Sequence, residues 1–161
     1  MNQRGFTLIE ILVVVAIIGL LASIALVSLM NTRQTARSAR VNADFHQIQT
    51  QIELARVLKS KTVLQITGNG CSDCAFRDGQ PIRSHAAADL AALALSWNNL
   101  GFATSPTDPW GTPYMMDENE HESGIDDCRH DQVWTAGPNG IDDGGGGDDI
   151  AYNINFFLCK N

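Results

Sequence analysis

Residues 4–20 read RGFTLIEILVVVAIIGL, and this stretch decides the fold because it begins an apolar run long enough to cross a bilayer. The run continues to Met30, and the twenty residues 11–30 carry no charge. As an α-helix they would span about 30 Å, the thickness of the hydrocarbon core of a membrane. Glu10 is the one charge on the N-terminal shoulder, where an unpaired carboxylate is costly. The sequence therefore predicts a membrane helix whose acid needs a positively charged partner.

The segment that contains this acid resembles the processing site of type IV pilins and type II secretion pseudopilins. The resemblance lies in the string GFTLIE followed by an unbroken apolar helix. It implies that a prepilin peptidase removes the leader 1–5 by cutting between Gly5 and Phe6, and that the new amine of Phe6 is methylated. It also implies that Glu10 neutralises the N-terminal amine of a neighbouring subunit, because the two charges are tolerable in hydrocarbon only as a pair.

The same resemblance implies two locations for the chain. Before assembly, the transmembrane and polymerisation helix 6–30 holds a single-pass protein in membrane lipid. The inner-membrane assembly machinery then extracts the subunit into a homo-oligomeric helical filament. That filament is extracellular if it is a surface pilus and periplasmic if it is a secretion pseudopilus, and the sequence does not separate the two.

Charge is divided unevenly along the 161 residues. Residues 1–60 hold six basic and three acidic residues, whereas residues 61–161 hold five basic and fifteen acidic residues, which gives the net charge of −7. Binding to phosphate backbones depends on Lys and Arg, so an acidic C-terminal part argues against a nucleic acid partner.

Helical periodicity continues beyond the membrane run and predicts one long helix over residues 7–58, whose second half, 31–58, is amphipathic and carries a head. The apolar stripe of that half has spacings of four, three, four and three. Its members are Val41, Phe45, Ile48, Ile52 and Ala55.

The rest of the chain predicts a small sheet that follows a connecting region. Residues 59–107 form the connection, with a short strand candidate at Thr62–Thr67 and an Ala/Leu-rich helix that begins at Ser84 as N-cap and runs to Trp97. Residues 108–161 form the head, and its strand candidates are Thr112–Met116, Gln132–Thr135 and Ile150–Leu158. A long helix followed by three antiparallel strands is an α+β arrangement, in which a meander covers the stripe of the helix. The resemblance implies the type IV pilin fold.

Two further segments resemble the G-type major pseudopilins of type II secretion and related type IV pilins. The first is DPWG at residues 108–111, to which we assign no chemistry, and the second is the acidic loop TAGPNGIDDGGGGDDI at residues 135–150. In that family the loop binds calcium, a cation that takes about six to eight oxygen ligands. The candidate ligands here are Asn139, Asp142, Asp143, Asp148 and Asp149.

The loop departs from the family pattern in two ways. Asn139 brings an amide where the family has its first loop aspartate, and the loop is about two residues longer. Asp142 or Asp143 would restore the missing charge. The alternative is a flexible acidic hairpin loop without a cation. A second acidic run, residues 117–120, is expected to be a solvated surface.

The four cysteines are expected to form disulfides, since they follow a membrane anchor on its exported side. Cys128 and Cys159 bracket the last strands and resemble the C-terminal disulfide loop of many type IV pilins. We therefore prefer the pairs Cys71–Cys74 and Cys128–Cys159, although four cysteines allow three pairings. A zinc site would need a second close pair of cysteines.

No catalytic constellation is visible in the sequence, so the chain is predicted to be a structural filament subunit and not an enzyme. Two alternatives remain open. One is a membrane-tethered thiol–disulfide protein that uses Cys71 and Cys74. The other is a non-polymerising, membrane-anchored calcium-binding module, which would have no use for Glu10.

Overall fold

A computed structural model describes residues 6–159 of the chain, apart from the side chain of Val27. The described residues form an α+β arrangement, which confirms the predicted fold class. Its elements are α1 (Leu8–Lys59), α2 (Val63–Thr67), α3 (Ala87–Asn99), β1 (Met115–Asp117), β2 (Gln132–Thr135) and β3 (Ile150–Asn153). Short 3-10 turns at Cys74–Phe76 and Ile82–Ser84 lie between α2 and α3.

The chain divides into two compact units, and the boundary falls inside α1 between Ala39 and Arg40. In the first unit α1 is long and apolar enough to cross a membrane, the one helix among the described residues with that property. Its large apolar side chains are exposed on all faces, as Leu12 and Leu21 illustrate. A helix that is apolar all round requires a surrounding other than water.

The second unit has a core that is built on the C-terminal half of α1. The five residues of the predicted stripe are all buried, which confirms the interpretation of their spacing. Two tyrosines of the head, Tyr114 and Tyr152, place their rings 5.5 and 5.4 Å from that of Phe45. The strands form an antiparallel meander in the order β1-β2-β3. The prediction that a meander covers the stripe is therefore confirmed.

The strand predicted at Thr62–Thr67 is wrong, because this segment is helix α2. Thr62 Oγ1 accepts a hydrogen bond from the Gln65 amide, and the Gln65 side chain accepts one from the Thr62 amide. This capping box satisfies the amides at the helix start. Gly68, in the left-handed conformation with φ of +73°, ends the helix. Caps at both ends thus outweigh the strand propensity of the β-branched residues between them.

The bounds of three other predicted elements also differ. Helix α3 begins at Ala87, because the Ser84 hydroxyl donates to the Pro81 carbonyl within a 3-10 turn and does not cap the helix. Strand β1 begins three residues late, since the amide of Thr112 is held by the preceding turn. Strand β3 ends at Asn153, and the chain beyond it leaves the sheet. The predicted strand at Gln132–Thr135 agrees with β2.

Candidate functional site

The described N-terminal segment begins at Phe6, so the predicted cleavage site at Gly5 and the leader lie outside it. The Phe6 side chain is 83% exposed. Thr7 and Glu10 form reciprocal hydrogen bonds at the start of α1: Glu10 Oε2 accepts from the Thr7 amide at 3.1 Å and from its hydroxyl at 2.9 Å. In return, the Glu10 amide donates to Thr7 Oγ1 at 3.3 Å. This is the capping-box arrangement, and it satisfies two amides of the first turn.

The capping role leaves the Glu10 carboxylate accessible. Its side chain is exposed, and both hydrogen bonds from Thr7 go to Oε2. A carboxylate offers about four lone-pair sites, so it can accept further donors. An ammonium group brought by another molecule can therefore reach Glu10 without first breaking the start of the helix.

The acidic loop between β2 and β3 brings three of its carboxylates together. One oxygen from each of Asp143, Asp148 and Asp149 lies within 4.8 Å of the other two. Carboxylate oxygens converging on one point, in a segment bent by glycines, are the ligand type that a hard cation such as calcium prefers.

Asp149 is the most constrained member of this cluster. Its Oδ2 accepts hydrogen bonds from the amides of Asp143, at 2.9 Å, and of Gly145, at 3.0 Å. Its Oδ1 is buried and has no hydrogen-bond partner. Burial and the neighbouring acids Asp142 and Asp143 raise the pKa of Asp149 to about 6, although the two amide hydrogen bonds lower it. A bound cation would supply the missing partner and offset this repulsion.

The other two candidate ligands are placed differently. Asn139 lies against the cluster, and its amide nitrogen donates to Asp148. Asp142 is buried and directed towards β2: its Oδ1 accepts from the indole of Trp134 at 2.9 Å and from the amide of Gly144 at 2.8 Å. The structure thus groups three of the five candidates, places Asn139 beside them, and gives Asp142 a bond to the sheet.

Two glycines allow the loop to close so tightly. Gly137 and Gly147 have φ values of +59° and +55°, which disfavour residues with a Cβ. A Cβ at Gly137 would meet the Asp148 carboxylate at 2.6 Å, and one at Gly147 would overlap that of Asp143. Two of the three acids of the cluster, Asp143 and Asp148, are therefore in place only because these positions lack side chains.

Comparison with protein families gives one match. Residues 1–26 match the family model of the prokaryotic N-terminal methylation motif. The N-terminal segment is therefore similar to that of type IV pilin-like precursors. Neither the curated proteins nor the solved structures contain a match to it. The matched part ends within α1, and the second unit lies outside it.

Both disulfides are the pairs that the sequence analysis preferred, Cys71–Cys74 and Cys128–Cys159. The second ties the chain that follows β3 to the segment between β1 and β2. It closes a separation of 31 residues, and a loop of that size contributes about 3–4 kcal/mol through restriction of the unfolded chain.

The expectation that residues 117–120 are a solvated surface is wrong. Glu118 and Glu120 are fully buried, and Asn119 is nearly so. Glu120 accepts hydrogen bonds from the amides of residues 157, 158 and 159 at 2.8–3.0 Å. Although burial opposes it, these donors and the nearby Arg56 guanidinium lower the pKa of Glu120. The carboxylate therefore holds the C-terminal segment in place.

A signal for this buried network was present in α1. Arg56 lies one position after the apolar stripe and is itself buried. Its guanidinium pairs with Asp131, approaches Glu120 at 3.6 Å and donates to the Asn155 carbonyl at 2.6 Å. A basic residue beside the stripe requires an acid inside the head, because an unpaired buried charge is strongly unfavourable. Sequence alone does not say which of fifteen acids that is.

Proposed function

We propose that the chain is a structural, non-catalytic subunit of a type IV pilus or a type II secretion pseudopilus. In this proposal a prepilin peptidase cuts between Gly5 and Phe6, and Phe6 is methylated on its new amine. Residues 6–30 then hold the precursor in the membrane until the assembly machinery extracts it into a helical filament. The observation that carries the proposal is the methylation motif at residues 1–26, joined to a helix whose apolar side chains are exposed.

The two units support a filament subunit in different ways. The first unit presents apolar surface on all faces and one accessible carboxylate, Glu10, near its start. Lipid satisfies the apolar surface but not the charge, whereas a neighbouring subunit with a free N-terminal ammonium satisfies both. The second unit has its own core, two disulfides and a buried ion-pair network. Such a head can stay folded in lipid-anchored and assembled forms alike.

We further propose that the acidic loop binds calcium, as in the G-type pseudopilins that the loop sequence resembles. Support comes from the three converging carboxylates and the unpartnered buried oxygen of Asp149. Asp143, Asp148 and Asp149 would be carboxylate ligands. Asn139 would contribute through a remaining lone pair of its side-chain oxygen, which also accepts from the Ile141 amide. Calcium is favoured over magnesium because a glycine-rich loop does not enforce a tight octahedron.

Processing is the first test of the proposed function. The full chain would be co-expressed with a prepilin peptidase, and its intact mass measured after extraction from the membrane. We expect loss of Met1–Gly5 and gain of one methyl group. Gly5→Ala should block the cut, because the added Cβ crowds the peptide bond that the peptidase must approach closely.

The matched control is Gly19→Ala, since a Cβ at Gly19 meets nothing within 4 Å. This variant should be cleaved as the original chain is. Recovery of the intact precursor in the presence of an active peptidase would contradict the proposal.

A further inference from the structure

The loop Cys71-Ser72-Asp73-Cys74 presents its disulfide outward and buries the two residues between the sulfurs. Cys74 is exposed and Cys71 is half-buried, whereas Ser72 and Asp73 are buried. A thiolate from solution reaches a disulfide only from an accessible side, and Cys74 is the more exposed of the two residues.

Bonds that do not involve sulfur hold the loop in position. The Ser72 amide donates to Glu118 at 2.9 Å, and Ser72 Oγ lies 2.5 Å from Glu118 and 2.8 Å from Ser96 Oγ. Asp73 pairs with Arg77. None of these contacts depends on the S–S bond, so we expect the two cysteines to stay close in the reduced form. The short separation of three residues also means that this bridge restricts the unfolded chain less than Cys128–Cys159 does.

The Asp73 carboxyl group contacts the sulfur of Cys71. Its Oδ1 is 3.1 Å from Cys71 Sγ, and its side chain is fully buried. The charged groups that face it are Arg77, Asp117 and Asp142. Burial raises the pKa of Asp73 to about 6, although Arg77 lowers it. A disulfide sulfur has no proton, so this contact suits a protonated carboxyl that can donate to Cys71.

We propose that Cys71 and Cys74 form a reversible thiol–disulfide exchange site, in which Cys74 is the sulfur attacked and Asp73 transfers a proton to and from Cys71. The partner is a protein dithiol or disulfide on the same side of the membrane as the head. This chemistry is separate from filament formation, and either can fail without the other.

In the reducing direction, one thiolate of the partner attacks Cys74 Sγ, and a partner–Cys74 disulfide forms as the Cys71–Cys74 bond breaks. The electron pair of that bond stays on Cys71, which takes the proton of the Asp73 carboxyl. The second thiolate of the partner then attacks the partner's own sulfur and releases Cys74, which takes a proton from water. Two electrons pass from the dithiol to the cysteine pair, and the partner leaves as a disulfide. Asp73 regains its proton from solvent.

The first experiment compares the two disulfides in the full chain in detergent micelles. Dithiothreitol serves as the dithiol, a maleimide traps free thiols, and peptide mass mapping locates the labels. We expect Cys71–Cys74 to open before Cys128–Cys159, and to close again on addition of oxidised glutathione with an unchanged near-UV circular dichroism spectrum. Opening of Cys128–Cys159 first, or loss of the spectrum when Cys71–Cys74 opens, would overturn the proposal.

The second experiment tests the proton transfer through Asp73→Asn, with Asp117→Asn as the matched control. Both acids contact Arg77, but only Asp73 contacts the sulfur. At a fixed concentration of dithiothreitol thiolate, the opening rate of the original chain should fall as the pH rises through about 6, where Asp73 loses its proton. In Asp73→Asn we expect a rate about 100-fold lower at pH 5, the lower end of what a positioned proton donor contributes. That variant should lack the pH step, whereas Asp117→Asn should keep it; equal profiles in all three proteins would refute the role of Asp73.

Single cysteine variants test which sulfur is attacked, whatever the effect of Asp73→Asn on folding. With oxidised glutathione, Cys71→Ser should form a mixed disulfide at the exposed Cys74. Cys74→Ser should form one more slowly at Cys71, because that sulfur is less accessible. Equal or reversed rates would overturn the assignment of Cys74.

Discussion

Glu10 can pair either with Thr7 of its own helix or with an ammonium group of another molecule, and this makes it the decisive residue of the N-terminal half of α1. In the single chain it caps its own helix through Thr7. In a filament it would meet the ammonium group of a neighbouring Phe6. Loss of that ion pair would cost more free energy than loss of the cap, because each charge would be left unpaired in an apolar surrounding.

Substitution at these two positions separates the roles. Glu10→Ala removes both the cap and the charge, whereas Thr7→Ala weakens the cap at a cost of about 0.5–2 kcal/mol and keeps the charge. We expect both variants to be inserted and cleaved, but filaments to be lost only in Glu10→Ala, as counted by electron microscopy. Filaments of normal number and length in Glu10→Ala would contradict the pairing.

Glu118 gives the head a pH dependence of stability. Burial raises its pKa in the folded chain to about 7, above the value of 4.5 for an unburied glutamate. The folded state therefore holds this proton more tightly than the unfolded state does. The resulting stabilisation is complete below about pH 4.5 and is lost as the pH rises through about 7.

The change Glu118→Gln tests this dependence. Glutamine keeps an oxygen acceptor for the Ser72 amide, and its NH2 group replaces the protonated hydroxyl as a donor. Thermal melts of the full chain in detergent between pH 4.5 and 7 should show a shallower fall in Tm for Glu118→Gln than for the original chain. Glu53→Gln, at an exposed position of α1, should leave the slope unchanged. Identical slopes in all three proteins would show that Glu118 does not titrate in this range.

At the scale of elements, the acidic loop is where a cation would change stability. Three carboxylates in close proximity repel one another, so the loop destabilises the adjoining ends of β2 and β3 until a cation binds. Binding to the folded form alone stabilises it by RT ln(1 + [L]/Kd), or about 2.7 kcal/mol at a hundredfold excess over Kd.

We therefore expect the full chain in detergent to melt at a higher temperature in millimolar calcium than in chelator. The paired change Asp148→Ala with Asp149→Ala should abolish the difference. Asp126→Ala removes an exposed acid outside the loop and should preserve it. A melting temperature that does not respond to calcium in the original chain would make the loop an acidic turn without a bound ion.

The elements that could be predicted from the sequence are those with a regular period. The stripe from Val41 to Ala55 and strand β2 follow from spacing alone, because each packs one face on the core. Helix α2 was missed because a side-chain capping box at its start and the backbone of Gly68 at its end decide it, and caps act through single hydrogen bonds. The end of β3 was missed because it depends on a residue distant in sequence. After Asn153 the chain leaves the sheet, and its amides donate hydrogen bonds to the Glu120 carboxylate.

In the candidate site, too, features set by local pattern could be predicted and features set by distant contacts could not. Sequence pattern singled out the acids of the loop and the pair Cys71–Cys74, since each is a dense local cluster. The pair Cys128–Cys159 is separated by 31 residues and was expected from the resemblance to type IV pilins. Burial of Glu118 and Glu120 could not be read locally, because a run of acids is normally solvated. Only the fold brings them to Ser72 and to the C-terminal segment as acceptors for amides that would otherwise be unsatisfied.

At the scale of the whole molecule, the chain joins an apolar first unit to a folded second unit through one helix. A membrane-anchored monomer needs only the apolar run, whereas a filament subunit needs a cleaved N-terminus, a charge partner for it and a head that tolerates extraction. The methylation motif at residues 1–26 and the accessible Glu10 favour the second alternative.

The most direct test of this account is the N-terminal mass of the chain in its assembled state, measured in the native host. Filaments sheared from the cell surface or released from the envelope would be separated from membranes by size, and each fraction analysed by intact mass. We expect the filament fraction to contain this chain, beginning at Phe6 and carrying one methyl group. A chain that occurs solely as a membrane monomer with Met1–Gly5 still attached would contradict it.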